Sequence, residues 1–265
     1  MRRVWALVPF LALSALAEEP DTLTVVAEVK ALRDVRVPAE IAGRVLRRPD
    51  DESRVVRKGD VVVQLDDVLP KAAYERAKAA REQAVEQLKL AEIEYNRDKK
   101  LAESGSVVEA RLDATRSRYR QAMAALNVTE ALLRTASIRL EHTRITAPFD
   151  GRLVRVYPET GEYLQLGSTA FRVIDDSTLR VIAYVSAEAV AGITPGAAVL
   201  LTNDNEKLRL SPLPGRVFSV APAAEGKART FRIESRFARP AGALKRARRW
   251  RAGMVGQLTF RKDEG

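Results

Sequence analysis

From Leu69 to Leu140 the chain runs through Ala, Glu, Arg, Lys, Gln and Leu with one break, and no other feature constrains its fold as much. Leu112, Tyr119, Leu126, Leu133 and Leu140 recur every seven residues, with Ala122 and Ala136 at intermediate positions. Upstream, Tyr74, Leu88 and Tyr95 share a heptad row that Arg81 interrupts, and Ala77, Ala84 and Ala91 fill a second row. Two such stretches separated by Glu103-Ser104-Gly105-Ser106 predict an antiparallel helical hairpin with a coiled-coil seam. Gly105 supplies the turn, and Ser106, with Glu109 three residues on, is the candidate N-cap of the second helix. Arms of about 34 residues would reach roughly 50 Å at ~1.5 Å per residue. That exceeds the width of a small domain, so the hairpin must project from whatever holds its base.

The flanks are built differently. From about Asp34 to Asp67 short β-rich runs (Val35 and Val37, Gly43 to Val45, Val61 to Leu65) are divided by Pro38, Pro49-Asp50-Asp51 and Lys58-Gly59-Asp60. The same texture resumes at Ile145 and continues to Phe260. It also repeats itself. Ile41-Ala-Gly43-Arg-Val45 resembles Phe149-Asp-Gly151-Arg-Leu153, and Val56 to Asp67, with Gly59, resembles Leu164 to Asp176, with Gly167, at a one-residue offset. Neither copy has enough strand to close a core alone, so the two are expected to pair around the hairpin as one small sandwich.

The N-terminus indicates the compartment. Arg2-Arg3, an apolar run from Val4 to Leu16 and the Ala15-Leu16-Ala17 cleavage pattern make residues 1–17 a signal peptide, too short to favour a membrane span; retention as an uncleaved anchor is the alternative. There is no Cys, which removes disulfides, thiolate ligands, cysteine nucleophiles and cysteine lipidation. One His (His142) and three Met are too few soft ligands for a copper or silver site. His142 ends a helical pattern, where a solvated or capping imidazole is the ordinary case. No carboxylate pair, nucleophile with base or phosphate-binding glycine loop stands out, so neither catalysis nor a cofactor is expected.

The net charge of +10 becomes 10 − 2 = +8 if cleavage removes Arg2 and Arg3. Export argues against nucleic acid and makes anionic lipid headgroups the nearer partner for a basic surface. The densest basic run, Lys245 to Arg251, reads first as a solvated loop before a final strand.

Taken in order, these strings resemble the periplasmic adaptor, or membrane fusion protein, family of the HlyD and RND-efflux type. The carriers are Thr146-Ala147-Pro148-Phe149-Asp150-Gly151-Arg152-Leu153 and Gly161-Glu162-Tyr163-Leu164, with the long hairpin between the halves. Asp176 to Val181, Val185-Ser-Ala-Glu188, Gly192 to Gly196, Gly215-Arg-Val217, Val220 to Ala224, Arg229-Thr-Phe231 and Ala252-Gly253-Met254 are similar to the family's barrel domain.

The resemblance implies a mixed α and β, elongated fold. A signal peptide (1–17) and an N-terminal segment (18–33) precede the first half of a split lipoyl-like β-sandwich (34–68). The inserted antiparallel α-helical coiled-coil hairpin (69–141), the second half (142–176) and a β-barrel domain (177–265) follow. It further implies a periplasmic protein held at the inner membrane through its partners, bridging an inner-membrane RND-type transporter to an outer-membrane TolC-type channel and self-associating in a ring, commonly of six. The family's docking signature at the hairpin tip is an Arg, a Leu four residues later and a Ser seven beyond that. Arg97 and Leu101 match it, Val108 stands where the Ser is expected, and Gly105 lies at the turn between. The chain stops after what reads as a last barrel strand, which implies a short adaptor without the family's membrane-proximal domain.

Three alternatives stay open: an adaptor for an ABC or major-facilitator exporter, a ring-forming periplasmic scaffold, and a lipoyl-type carrier. The carrier would need a Lys on the connection that about seventy helical residues occupy here.

Overall fold

The structure, a computed structural model, describes residues 22–104, 108–203, 210–226, 229–238 and 250–261. The expected signal peptide, Gly105, Ser106 and most of the basic run (Lys245 to Arg249) lie outside the described residues. Strands β1 (Thr22–Pro38), β2 (Gly43–Arg47), β3 (Val55–Val56) and β4 (Val61–Leu65) come first. Helices α1 (Val68–Glu103) and α2 (Glu109–Glu141) follow, then β5 (Arg144–Thr146), β6 (Gly151–Val156), β7 (Tyr163–Leu164) and β8 (Thr169–Val185). The short helix α3 (Ala187–Val190) leads into β9 (Ala198–Thr202), β10 (Leu213–Val220), β11 (Phe231–Ala238) and β12 (Val255–Arg261). The chain forms two compact units, Arg33–Asp176 and the remainder.

In the Arg33–Asp176 unit the repeat seen in the sequence is a structural two-fold. Equivalent residues lie 108 positions apart: 45 with 153, 56 with 164, 65 with 173. The pairing is reciprocal. Gly43 of β2 stands opposite Leu164 of β7, and Gly151 of β6 stands opposite Val56 of β3. Gly59 N donates to Ala147 O and Gly167 N to Ala39 O, both at 2.8 Å. Both glycines turn the chain at positive φ, +88° and +81°. Each copy therefore lends a strand to the other. The buried residues pair in the same way: Ala39 with Ala147, Val45 with Leu153, Val63 with Phe171, Leu65 with Val173.

The symmetry breaks after Leu65 and Val173. There the first copy turns into α1, while the second continues as β8 past Val173. Where β1 and β8 lie side by side in this unit, Arg33 donates to Asp175 Oδ2 (2.8 Å), and Arg172 forms a two-pronged pair with Asp34. The Arg172 hydrogen bond holds the Asp34 carboxyl below the ordinary aspartate range.

In the second unit the antiparallel order is β1-β12-β9-β10-β11-β8, and a β1–β8 pairing closes it into a six-stranded barrel among the described residues. Alternation fills the interior: Leu179, Val181, Ala183 and Val185 of β8 meet Ile233 and Phe237 of β11 and Leu258 and Phe260 of β12. The stretch before Arg33, which the sequence left as a plain N-terminal segment, is a barrel strand, registered from Thr22 opposite Arg261 to Glu28 opposite Val255.

Candidate functional site

The hairpin seam is the one expected. Its inward positions on α2 run Leu112, Thr115, Tyr119, Ala122, Leu126, Thr129, Leu133, Ala136 and Leu140, all buried or half-buried. On α1 they run Tyr74, Ala77, Arg81, Ala84, Leu88, Ala91 and Tyr95, again all buried or half-buried. Both helices mix small Ala with larger Leu and Tyr along the seam. Tyr95 and Tyr119 stack with ring centroids 5.6 Å apart. Arg81, the polar interruption, meets Glu130 across the seam at 3.6 Å.

Towards the tip the alanine row ends in a charge. Asp98, one heptad beyond Ala91, is only 3% exposed, and its Oδ2 accepts from Arg111 Nε at 3.2 Å. The row of alanines ends at Ala91. Continuing the row seven residues would have found a carboxylate where an apolar residue belongs. Arg111, three residues into α2, and Asp98 tie the two arms together at this level.

Arg97 and Leu101 sit beside this row, one residue ahead of the seam positions 98 and 102. Four residues apart on a helix, they share a face. Arg97 is exposed, and Leu101 keeps 38% of its surface in solvent. Glu94, Arg97, Asp98, Arg111, Thr115 and Arg118 line a shallow polar depression at this end.

Val108 is 76% exposed and is itself the N-cap of α2, with extended backbone and no side-chain cap bond. This corrects the expectation that Ser106 caps the helix. Because α2 begins at Glu109, that residue occupies the first helical position, too early for the glutamate of a capping box. Its charge still favours the positive helix end. At the opposite end, His142 is the C-cap of α2, and its Nε2 lies 2.8 Å from Glu40 Oε2, a partner the sequence gave no sign of.

Among the described residues no group of three or more His, Asp or Glu is placed to hold a metal, and no helix is long and apolar enough to cross a membrane.

The described residues thus comprise a split sandwich with a helical hairpin between its halves, and a six-stranded barrel. Residues 73–143 match the family described as RND MFP, alpha-helical hairpin domain. The chain is similar to members of the membrane fusion protein family. It is 25% identical over 237 residues to the multidrug resistance protein MdtA of Proteus mirabilis strain HI4320, covering 86% of this chain and 57% of that one. MdtA of Klebsiella pneumoniae subsp. pneumoniae strain ATCC 700721 / MGH 78578 is 30% identical over 172 residues, 64% of this chain and 41% of the relative. The chain thus spans about two fifths to three fifths of the length of these two relatives. A crystal structure of a MacA–MexA chimera containing the Pseudomonas aeruginosa MexA alpha-hairpin domain shares the fold. Its TM-score is 0.72 at 21% identity, over 93% of this chain and 83% of the chimera.

Proposed function

We propose that this chain is the periplasmic adaptor subunit of a tripartite efflux system. In this reading it bridges an inner-membrane RND-type transporter to an outer-membrane TolC-type channel. Self-association into a ring, six copies in the first instance, would gather the hairpins into a bundle. Arg97, Leu101, Gly105 and Val108 at the hairpin tip are the proposed docking residues. The observation that carries the proposal is the exposed Arg97–Leu101 face beside the far end of a hairpin whose base is held by the split sandwich. Arg97 offers charge-assisted hydrogen bonds to a channel carboxylate or carbonyl, and Leu101 an apolar knob. The RND hairpin match and the relatives named as multidrug resistance proteins support the same reading. The tie between Asp98 and Arg111 keeps the two arms in register beside that face.

The test uses the absence of cysteine. A single cysteine at Gly105, carrying a photo-crosslinker in living cells, is expected to capture an outer-membrane channel protein, identified by mass spectrometry. Capture of the protein's own copies alone, or of nothing, would return Arg97 and Leu101 to ordinary surface residues and favour a ring-forming scaffold.

A further inference from the structure

The outer face of the barrel between β10 and β8 carries an arrangement that the adaptor reading does not use. Arg216 of β10 stands opposite Arg236 of β11, and Arg236 opposite Arg180 of β8, so three arginines lie in register across three neighbouring strands. Arg232 shares the outward side of β11 with Arg236, because the alternate residues Ile233, Ser235 and Phe237 fill the interior. Like charges directly opposite one another weaken a sheet.

Among the described residues the compensation is one carboxylate. Glu234, 8% exposed, lies within 2.9 Å of Arg180, 3.4 Å of Arg232 and 3.6 Å of Arg236. Three guanidiniums present about fifteen N–H donors and one carboxylate accepts about four, so most donors are left for something outside. Arg216 donates to Gly196 O at 3.0 Å and pairs with no carboxylate among the described residues.

Aromatic rings accompany the charges. Arg236 lies 3.1 Å from the Phe218 ring centroid, Phe218 itself is 50% exposed, and Tyr184, opposite Arg232, is 51% exposed. Solvent-facing aromatics among arginines are the composition that settles at a lipid headgroup layer, with rings at the interface and cations on phosphates. We infer that this face, Arg180, Arg216, Arg232 and Arg236 with Phe218 and Tyr184, binds the anionic phospholipid headgroups of a membrane surface. The inference goes beyond the adaptor reading and does not depend on what the hairpin tip meets.

Co-sedimentation of the full chain with phosphatidylglycerol-containing vesicles, compared with pure phosphatidylcholine vesicles, tests it. The Arg216→Gln/Arg232→Gln double variant leaves Glu234 its two other partners. It is expected to lower partitioning about 30-fold, at roughly five-fold per arginine, with an unchanged melting curve. Binding should also fall with added salt. The double Lys variant should retain binding, because a headgroup layer reads charge rather than a bidentate fork. Tyr184→Ser should cost a smaller, salt-independent factor.

Wild-type-like partitioning of the double Gln variant would overturn the inference and leave the Lys245 to Arg251 run as the lipid contact. Absence of wild-type binding would also overturn it. Channel capture from position 105 is a separate readout, so failure here and failure of the adaptor reading are distinguishable.

Discussion

The two-fold of the sandwich gives a substitution with its own internal control. Gly43 and Gly151 are equivalent positions, but what a Cβ would meet differs. At 151 it would lie 2.3 Å from the Ile174 carbonyl oxygen and 3.0 Å from its carbon; at 43 the nearest atom is Leu65 Cβ at 3.4 Å, an ordinary contact. The cause is the broken symmetry. Ile174 belongs to the part of β8 that continues past Val173, opposite Arg152, whereas in the first copy β4 ends at Leu65 and only Asp66 N still donates to Arg44 O before α1.

A carbon–oxygen contact rests near ~3.3 Å, so Gly151→Ala must open the β6–β8 ladder by about 1 Å. Overpacking costs about 1–3 kcal/mol, and a displaced backbone hydrogen bond adds about 1 kcal/mol. The expected loss is therefore ~2–4 kcal/mol. Gly43→Ala makes no clash and reduces unfolded-chain entropy, a gain of up to ~1 kcal/mol. The two alanines should differ by at least ~2 kcal/mol, about thirty-fold in the opening equilibrium of the sandwich. Hydrogen exchange by mass spectrometry, followed on peptides covering β2 and β6 in both variants, reads that equilibrium directly. Equal effects, or a larger loss at Gly43, would refute the reasoning.

Other perturbations have equally definite signs. In the hairpin, Arg111→Ala leaves the buried Asp98 carboxylate unpaired and should cost ~1–3 kcal/mol. Asp98→Ala continues the alanine row and should be neutral or stabilising; thermal melts followed at 222 nm decide between them. For Asp34, whose carboxyl is held low by Arg172, the pair's contribution is complete above the unfolded aspartate pKa of about 3.9 and lost as pH falls through the lower folded value. The melting difference between wild type and Asp34→Asn should accordingly be constant above about pH 5 and vanish in acid. It should stay below ~1 kcal/mol, because the pair is solvent-screened. Arg97→Asp and Leu101→Ala, both at exposed positions, should leave the melting temperature within about 2 °C while abolishing photo-capture of a channel from position 105.

The sequence carried the hairpin and the duplicated half-motif because both rest on local repetition. A heptad seam and a glycine turn announce themselves within a few residues. What it hid depends on pairing at a distance. Nothing near Thr22 says that β1 will find β12, more than two hundred residues on, because a barrel strand's alternation is the same whichever neighbour it takes. Glu40 with His142 and Arg33 with Asp175 are likewise contacts between segments that the hairpin separates. At the tip, Arg97 and Leu101 stood out only through the resemblance to the family's docking signature. Asp98 and Arg111 were harder to see, since a charged side chain in a polar helix looks solvated until the seam is followed one heptad further. Ser106 misled because a serine ahead of a glutamate suits a capping box, but α2 starts two residues late for it.

The exchange of strands between the two half-motifs also sets an order of events in synthesis. β2 needs β7, and β3 needs β6, so nothing made before the hairpin can complete its sheet when it emerges. Closing so long a loop from an unstructured chain is slow, and the exposed valines of β4 would meanwhile be open to mispairing. The helices change this, because their contacts are local and need no distant segment. Once α1 and α2 zip together, their bases bring Leu65 N within 2.7 Å of Thr143 O. That shortens the effective loop from about eighty residues to almost none. The projecting arm thus acts as the jig on which its own socket is assembled. A variant with the seam broken at Leu126 should fail first in the sandwich, far from the substitution.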